Sequence, residues 1–436
     1  MLVKHFQKIK ALKKYMNYLD ELIKKRNKFL GPNLPTFYDV PVHLVKGKDV
    51  WVWDKDGKKY LDCYNNVPHV GHCHPKVVEA ITKQASTLNT HTRYLHEGII
   101  NYIDELSKTF QHDLTTAIMT CTGSEANDIA LRIAHTITKS QGVISTNHTY
   151  HGNTALVSQL SNTNPYENYS SNYFKRVSAP DSYRMNGANT LEEYSNNFAL
   201  EIENKILEFE DQGIGFAGII ICPFFANEGF PDLPYGWLKP AEEIIKKYNG
   251  IIIADEVQPG FGRLGNEMWS HDIIGLKPDI VTIGKPMANG HPVGAVITNY
   301  DYMAEFRENY RYFNTFGGNP VSCAASLSVL TILKEEKLLD NANLIGNYAI
   351  NGLRELSQTH DIIGDIRGSG LFFGIELVTD KHNKTPAKDI TSKIVNNMKD
   401  EGVLLSKLGI NYNTLKIRPP MTFTKENADF LLEKLD

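Results

Sequence analysis

The 436 residues are long enough for two or three compact units with substantial cores. Hydrophobic residues make up 42% and charged residues 22%, which excludes a disordered chain. A formal charge of −4 offers no electrostatic footprint for nucleic acid or an acidic membrane surface, and no run approaches the roughly 18–20 apolar residues of a bilayer span.

Along the chain, residues 1–30 place Leu2, Phe6, Ile9, Leu12, Tyr15 or Met16, Leu19 and Leu22 or Ile23 three or four residues apart among lysines. That spacing predicts an amphipathic helix rather than a secretory segment. The stretch is poor in Arg and Ser and carries Asp20 and Glu21, unlike a mitochondrial presequence. The five cysteines are odd in number, scattered, and form no CxxC pair, so the expected setting is a reducing one, the cytoplasm. Val50 to Asp62 (VWVWDKDGKKYLD) reads as a hairpin turning at Asp56-Gly57.

From about 75 to 320, helical patterns alternate with short apolar runs: AIMTCT (117–122), GVIST (142–146), GIIIC (218–222), GIIIAD (250–255) and DIVTIG (279–284). Strands apolar on both faces and separated by helices predict an α/β fold with a mainly parallel sheet covered on both sides. Residues 31–74 and 321–436 are assigned to a smaller α+β domain, with strand candidates at GLFFGIEL (370–377) and TLKIRPP (414–420).

In open α/β sheets ligands bind beyond the carboxyl ends of the strands, and three candidate sites fall there. Asp255 closes GIIIAD; a buried carboxylate needs a cationic or hydrogen-bonding partner, and a protonated pyridine nitrogen would serve. Its bland alternative is a cap for the following turn. Lys285 follows DIVTIG thirty residues later, about one strand–crossover–strand unit, so the two residues are expected to end neighbouring parallel strands. Partial burial would lower the lysine pKa as Schiff-base chemistry requires, whereas the bland reading is a solvated lysine. Gly123-Ser124 opens a helical run and suits a phosphate, but Thr122 with Glu125 also forms a capping-box pattern that needs no ligand. His72-Cys73-His74 lacks a second ligand cluster, so no metal site is expected. Asp361 to Asp365 and Lys334 to Lys337 read as solvated faces.

Five blocks then stop being independent: TCTGSEANDIALRIA (120–134), TYHGNT (149–154), ADEVQPGFGRLG (254–265), VTIGKPMANGHPVG (281–294) and NTFGGNP (314–320). Their order and spacing resemble the class III aminotransferases that depend on pyridoxal phosphate (PLP), from about residue 35 onward. The resemblance implies a fold-type I enzyme whose large domain carries a sheet of the seven-stranded type. It implies that Lys285 forms the Schiff base and shuttles the proton. Asp255 would meet the pyridine nitrogen, Gln258 would lie near the ring hydroxyl, and Val257 and Tyr150 would pack on the two ring faces. Gly123 and Ser124 would hold the phosphate, joined by Thr315 from a neighbouring subunit. The implied assembly is thus a homodimer with shared sites, or a tetramer built from it.

YLDCYNNVPHVGHCHPKVV (60–78), NTHTRYLHEGI (89–99), RGSGLFFGIELV (367–378) and NTLKIRPPMTFT (413–424) look like a narrower group, the ethanolamine-phosphate and phosphohydroxylysine phospho-lyases and their bacterial aminotransferase-like relatives. Three departures stand out. Cys222-Pro223 replaces a common Glu-Pro, FFANEGF (224–230) replaces a glycine-rich loop, and Lys416 aligns with the usual carboxylate-binding arginine, with Arg418 two residues on. Lysine cannot make arginine's bidentate fork, so Lys416 and Arg418 are candidate substrate residues of altered type. The expected activity is transfer of an amino group from an amino acid or amine to a 2-oxo acid. The alternative is a phospho-lyase on a phosphorylated amino alcohol such as phosphoethanolamine, with racemase or non-catalytic binding readings behind it.

Overall fold

The computed structural model describes residues 18–111, 113–161 and 171–436. The hairpin forms as expected from three short strands, β1 (Leu44–Lys48), β2 (Trp51–Asp54) and β3 (Lys59–Asp62), with Gly57 at φ +83° in the turn between β2 and β3. Residues 18–30 are helical, and Leu19 is buried. The rest of the anticipated N-terminal helix, residues 1–17, lies outside the described residues.

The central sheet has seven strands: β4 (Thr116–Thr120), β5 (Gly142–Thr146), β6 (Phe174–Val177), β7 (Phe216–Ile221), β8 (Ile251–Asp255), β9 (Ile280–Ile283) and β10 (Gly294–Thr298). Their order is β4-β10-β9-β8-β7-β5-β6. The pairs from β9 through β6 are parallel, while β10 runs antiparallel to both β9 and β4. The sheet is buried on both faces because alternate isoleucines of one strand serve opposite layers. Ile251 and Ile253 pack with Ile129, Leu131 and Ile133 of the helix Gly123–Thr138. Ile252 packs with Phe198 and Ile202 of the helix Leu191–Asp211 and with Ile245 of the helix Lys239–Lys247.

Another sheet pairs strands from both ends of the chain. In it β14 (Val403–Leu404) runs parallel to β3 and ties the C-terminal segment to the hairpin. A further sheet orders β11 (Ile363–Ser369), β12 (Phe372–Asp380), β16 (Thr414–Ile417) and β15 (Ser406–Leu408), with β13 (Thr385–Pro386) on β12. The candidates at 370–377 and 414–420 are therefore strands, although β12 starts and β16 ends inside those limits. Asp365 is not simply solvated: its carboxylate accepts from Arg367 at 2.8 Å, and Arg367 also reaches buried Glu376 at 2.6 Å. Asp361, by contrast, is fully exposed. Among the described residues no helix is long and apolar enough to cross a membrane.

Candidate active site

β8 and β9 lie side by side with Asp255 opposite Thr282, so Asp255 and the segment that begins at Gly284 open at the same edge of the sheet. They line a cavity of about 340 Å³ together with Gly123, Ser124, Asn127, Tyr150, His151, Cys222, Val257, Gln258 and Lys285. The expected neighbouring-strand placement of Asp255 and Lys285 is observed. Lys285 is accessible, but what it faces is the cavity; protein atoms surround its amine. That desolvation pushes its pKa below the ordinary lysine range, and the nearby Asp255 charge opposes the shift.

Asp255 is nearly inaccessible and accepts from three donors. Its Oδ2 accepts from Asn127 Nδ2 at 2.9 Å and from His151 Nδ1 at 2.7 Å, and its Oδ1 accepts from the Val257 amide at 3.0 Å. The turn-cap reading of Asp255 is observed, since the Val257 bond is that cap. A carboxylate only accepts, so His151 carries its proton on Nδ1 and its Nε2 faces Thr149 Oγ1 at 3.0 Å. Thr282 Oγ1 donates to Asn127 Oδ1 at 2.6 Å, and Asn127 Nδ2 also reaches the His151 carbonyl at 2.6 Å.

The phosphate-type turn is the N-terminus of the helix Gly123–Thr138. Thr122 Oγ1 accepts from the Glu125 amide at 3.1 Å and the Glu125 carboxylate accepts from the Thr122 amide at 3.2 Å, so the capping box is present too. The first N–H groups of a helix have no partner inside it and attract anions. A side chain at Gly123 would lie 2.9 Å from Val257 Cγ2, and one at Gly152 would lie 2.5 Å from Ser124 Oγ. Both glycines keep this corner open for backbone approach.

Behind Gln258 lie two buried basic side chains. Lys416 Nζ donates to Gln258 Oε1 at 3.0 Å and Arg418 donates to the same oxygen at 2.5 Å. Neither lines the cavity; Gln258 stands between them and it. Burial, then the Arg418 and Lys285 charges, pushes Lys416 well below the usual lysine range, and burial pulls Arg418 down to about 10. Neither cation has a carboxylate partner among the described residues. Cys222, at the position of the common glutamate, is no substitute: burial and the Asp255 charge hold its thiol well above the ordinary range. Thr315 does not line this cavity and is exposed in its own chain. Of the two histidines flanking Cys73, His72 pairs with Asp62 at 2.7 Å and His74 with Glu336 at 3.2 Å.

The model of class III aminotransferases matches residues 36–436. The chain belongs to the class III aminotransferase family. It is similar to the "alanine–glyoxylate aminotransferase 2-like" protein of Drosophila melanogaster, 39% identical over 427 residues that span 94% of this chain and 85% of that one. It is also similar to the "ethanolamine-phosphate phospho-lyase homolog 1" of Caenorhabditis elegans, 35% identical with 96% and 92% covered. Among solved structures, a phospholyase from Arthrobacter in complex with phosphoethanolamine superposes with a TM-score of 0.91 at 38% identity, covering 95% of this chain and 98% of that one. This class III protein is thus a PLP-dependent fold-type I enzyme of the aminotransferase type.

The residues fit that cofactor. An anion-binding helix N-terminus, an oriented carboxylate and a desolvated lysine meet in one cavity, with Tyr150 and Val257 on its wall. The sequence reading passed over Asn127, His151 and Thr282, which hold Asp255. The available signals were a buried-face asparagine within EANDIALRIA and the histidine of TYHGNT.

Proposed function

We propose that this enzyme moves an amino group from an amine or amino acid that carries an anionic group to a 2-oxo acid. The observation behind the donor class is the Lys416–Arg418 pair: two buried cations beside the cavity whose shared acceptor is a neutral amide. Buried charge without a counter-ion is costly, so an anionic substrate group would relieve it.

When bound, pyridoxal phosphate supplies the electron sink for negative charge at the substrate carbon. Lys285, with its lowered pKa, would remove and return the proton at that carbon. Asp255, fixed by Asn127, His151 and the Val257 amide, would hold the ring nitrogen. Gly123 and Ser124 would hold the phosphate, Tyr150 and Val257 would flank the ring, and Gln258 would reach the ring hydroxyl.

A phospho-lyase acting on phosphoethanolamine is the second reading, favoured by the same cation pair and by the likeness to the Arthrobacter phospholyase. One assay separates them: a panel of anionic amino donors is run against pyruvate and 2-oxoglutarate, alongside phosphoethanolamine without any oxo acid. The proposal expects amino acid formation that requires the oxo acid. Release of phosphate and ammonia with no acceptor present would replace it with the lyase.

We also propose a homodimer in which Thr315 of the partner subunit reaches the phosphate. Exposed Tyr94, Leu95 and Phe316 support this reading, since they leave an apolar surface next to Thr315. The five free cysteines support the cytoplasm as the location.

A further inference from the structure

FFANEGF departs from the family's usual loop, and its asparagine touches the machinery above. Gln258 Nε2 donates to Asn227 Oδ1 at 3.2 Å, on the opposite end of the amide from the oxygen that takes Lys416 and Arg418. Chemistry fixes this orientation. Ammonium and guanidinium groups cannot accept a hydrogen bond, so the Gln258 atom facing them is oxygen. Its nitrogen must then find an acceptor, and Asn227 provides it.

From this we infer that Asn227 is a positioning residue that sets substrate specificity: it holds the Gln258 amide with its oxygen toward Lys416 and Arg418, and so keeps the two cations together as a subsite for an anionic substrate group. Lys416 and Arg418 sit behind Gln258 rather than on the cavity wall, so the pair acts on an anionic group by its charge across that amide. Lys416 Nζ has three N–H bonds and uses one here, while Arg418 gives Nε and its second terminal nitrogen to the Tyr64 carbonyl at 3.3 and 3.2 Å. Without Asn227 the Gln258 NH2 loses its acceptor and the amide is tethered only through its oxygen, so it can swing and carry the two donors on that oxygen out of register. The backbone of Asn227 is tied separately, its N–H to Glu228 Oε2 at 3.0 Å and its carbonyl to the Gly409 amide at 3.3 Å. A side-chain change therefore leaves those anchors in place.

The inference rests on the proposed anionic substrate, and the test keeps the two apart. The PLP-loaded enzyme is titrated with phosphoethanolamine, β-alanine and ethanolamine, following cofactor absorbance; the first two end in an anion and the third does not. Wild type should prefer at least one anionic amine over ethanolamine. Asn227→Ala should weaken that amine about tenfold, the scale of one hydrogen bond to a charged network, and leave ethanolamine unchanged. Asn227→Leu, which keeps the volume without the acceptor, should behave like Asn227→Ala. Equal weakening of all three amines, no weakening, or recovery in Asn227→Leu would assign Asn227 to packing and overturn the inference. A wild type that binds all three alike would remove the anionic subsite itself, and the inference with it.

Discussion

Lys416 and Arg418 are two residues apart at the end of β16, so extended backbone turns both side chains to one face. Burial first, and then the neighbouring Arg418 and Lys285 charges, push Lys416 well below its ordinary pKa. The sign of the pH dependence follows. With the folded pKa depressed, the unfolded chain binds the extra proton more readily, so this site's destabilisation is full below the folded pKa and is relieved as pH rises toward 10.5. Lys416→Met should therefore stabilise the PLP-free protein at pH 7 by about 1–4 kcal/mol, the range seen when buried charges give way to apolar side chains. Thermal unfolding across pH 7 to 10 checks this: the gain should shrink toward high pH. Affinity for anionic donors should fall in the same variant, an exchange of stability for function. A variant less stable than wild type at pH 7 would show that the cation is satisfied in the empty site.

At the scale of elements, the site is made by strand ends and one helix start. Much of this was legible. GIIIAD and DIVTIG are buried on both faces, and thirty residues of spacing put Asp255 and Lys285 on adjacent strands. The capping box marked the helix start at Gly123. What escaped depends on pairing across long separations. β10 (GAVIT) runs antiparallel within an otherwise parallel region, and β6 (FKRV) alternates too weakly to stand out. Lys416 and Arg418 were read as candidates from a resemblance, but that Gln258 stands between them and the cavity comes only from folding β16 against the turn after β8.

The helix start also depends on Gly152, which holds φ +136° and lies against Ser124. An alanine Cβ there would meet Ser124 Cα at 2.8 Å as well as its hydroxyl, so either the helix N-terminus or the TYHGNT loop must shift. Gly152→Ala should lower stability by about 1–3 kcal/mol from backbone strain alone. It should also weaken PLP binding by about tenfold or more, because a phosphate held by backbone amides is sensitive to shifts well under 1 Å. Unchanged PLP affinity in equilibrium dialysis would mean that Ser124 and its helix start do not hold the phosphate.

For the whole molecule the open question is whether one chain completes its own site. The loop carrying Thr315 lies against the 91–93 loop, where Arg93 stacks on Phe313 at 3.8 Å and His91 meets the same ring edge-on at 5.5 Å. Leu95 and Phe316, on these two loops, are 102% and 70% exposed, a poor end for side chains of that size unless another surface covers them. Thr315, next to Phe316 in the chain, is exposed and absent from the lining of its own cavity. Subunit mixing tests the arrangement directly. Lys285→Ala lacks the reacting amine, and Thr315→Glu would set a carboxylate against the phosphate. Each parent should be inactive. If each site combines Lys285 of one subunit with Thr315 of the other, half of a randomly remixed population is mixed dimers, each with one intact site. Activity should then return to about a quarter of wild type. If Thr315 serves its own chain, the mixed dimer has one defect in each site, and remixing should restore nothing.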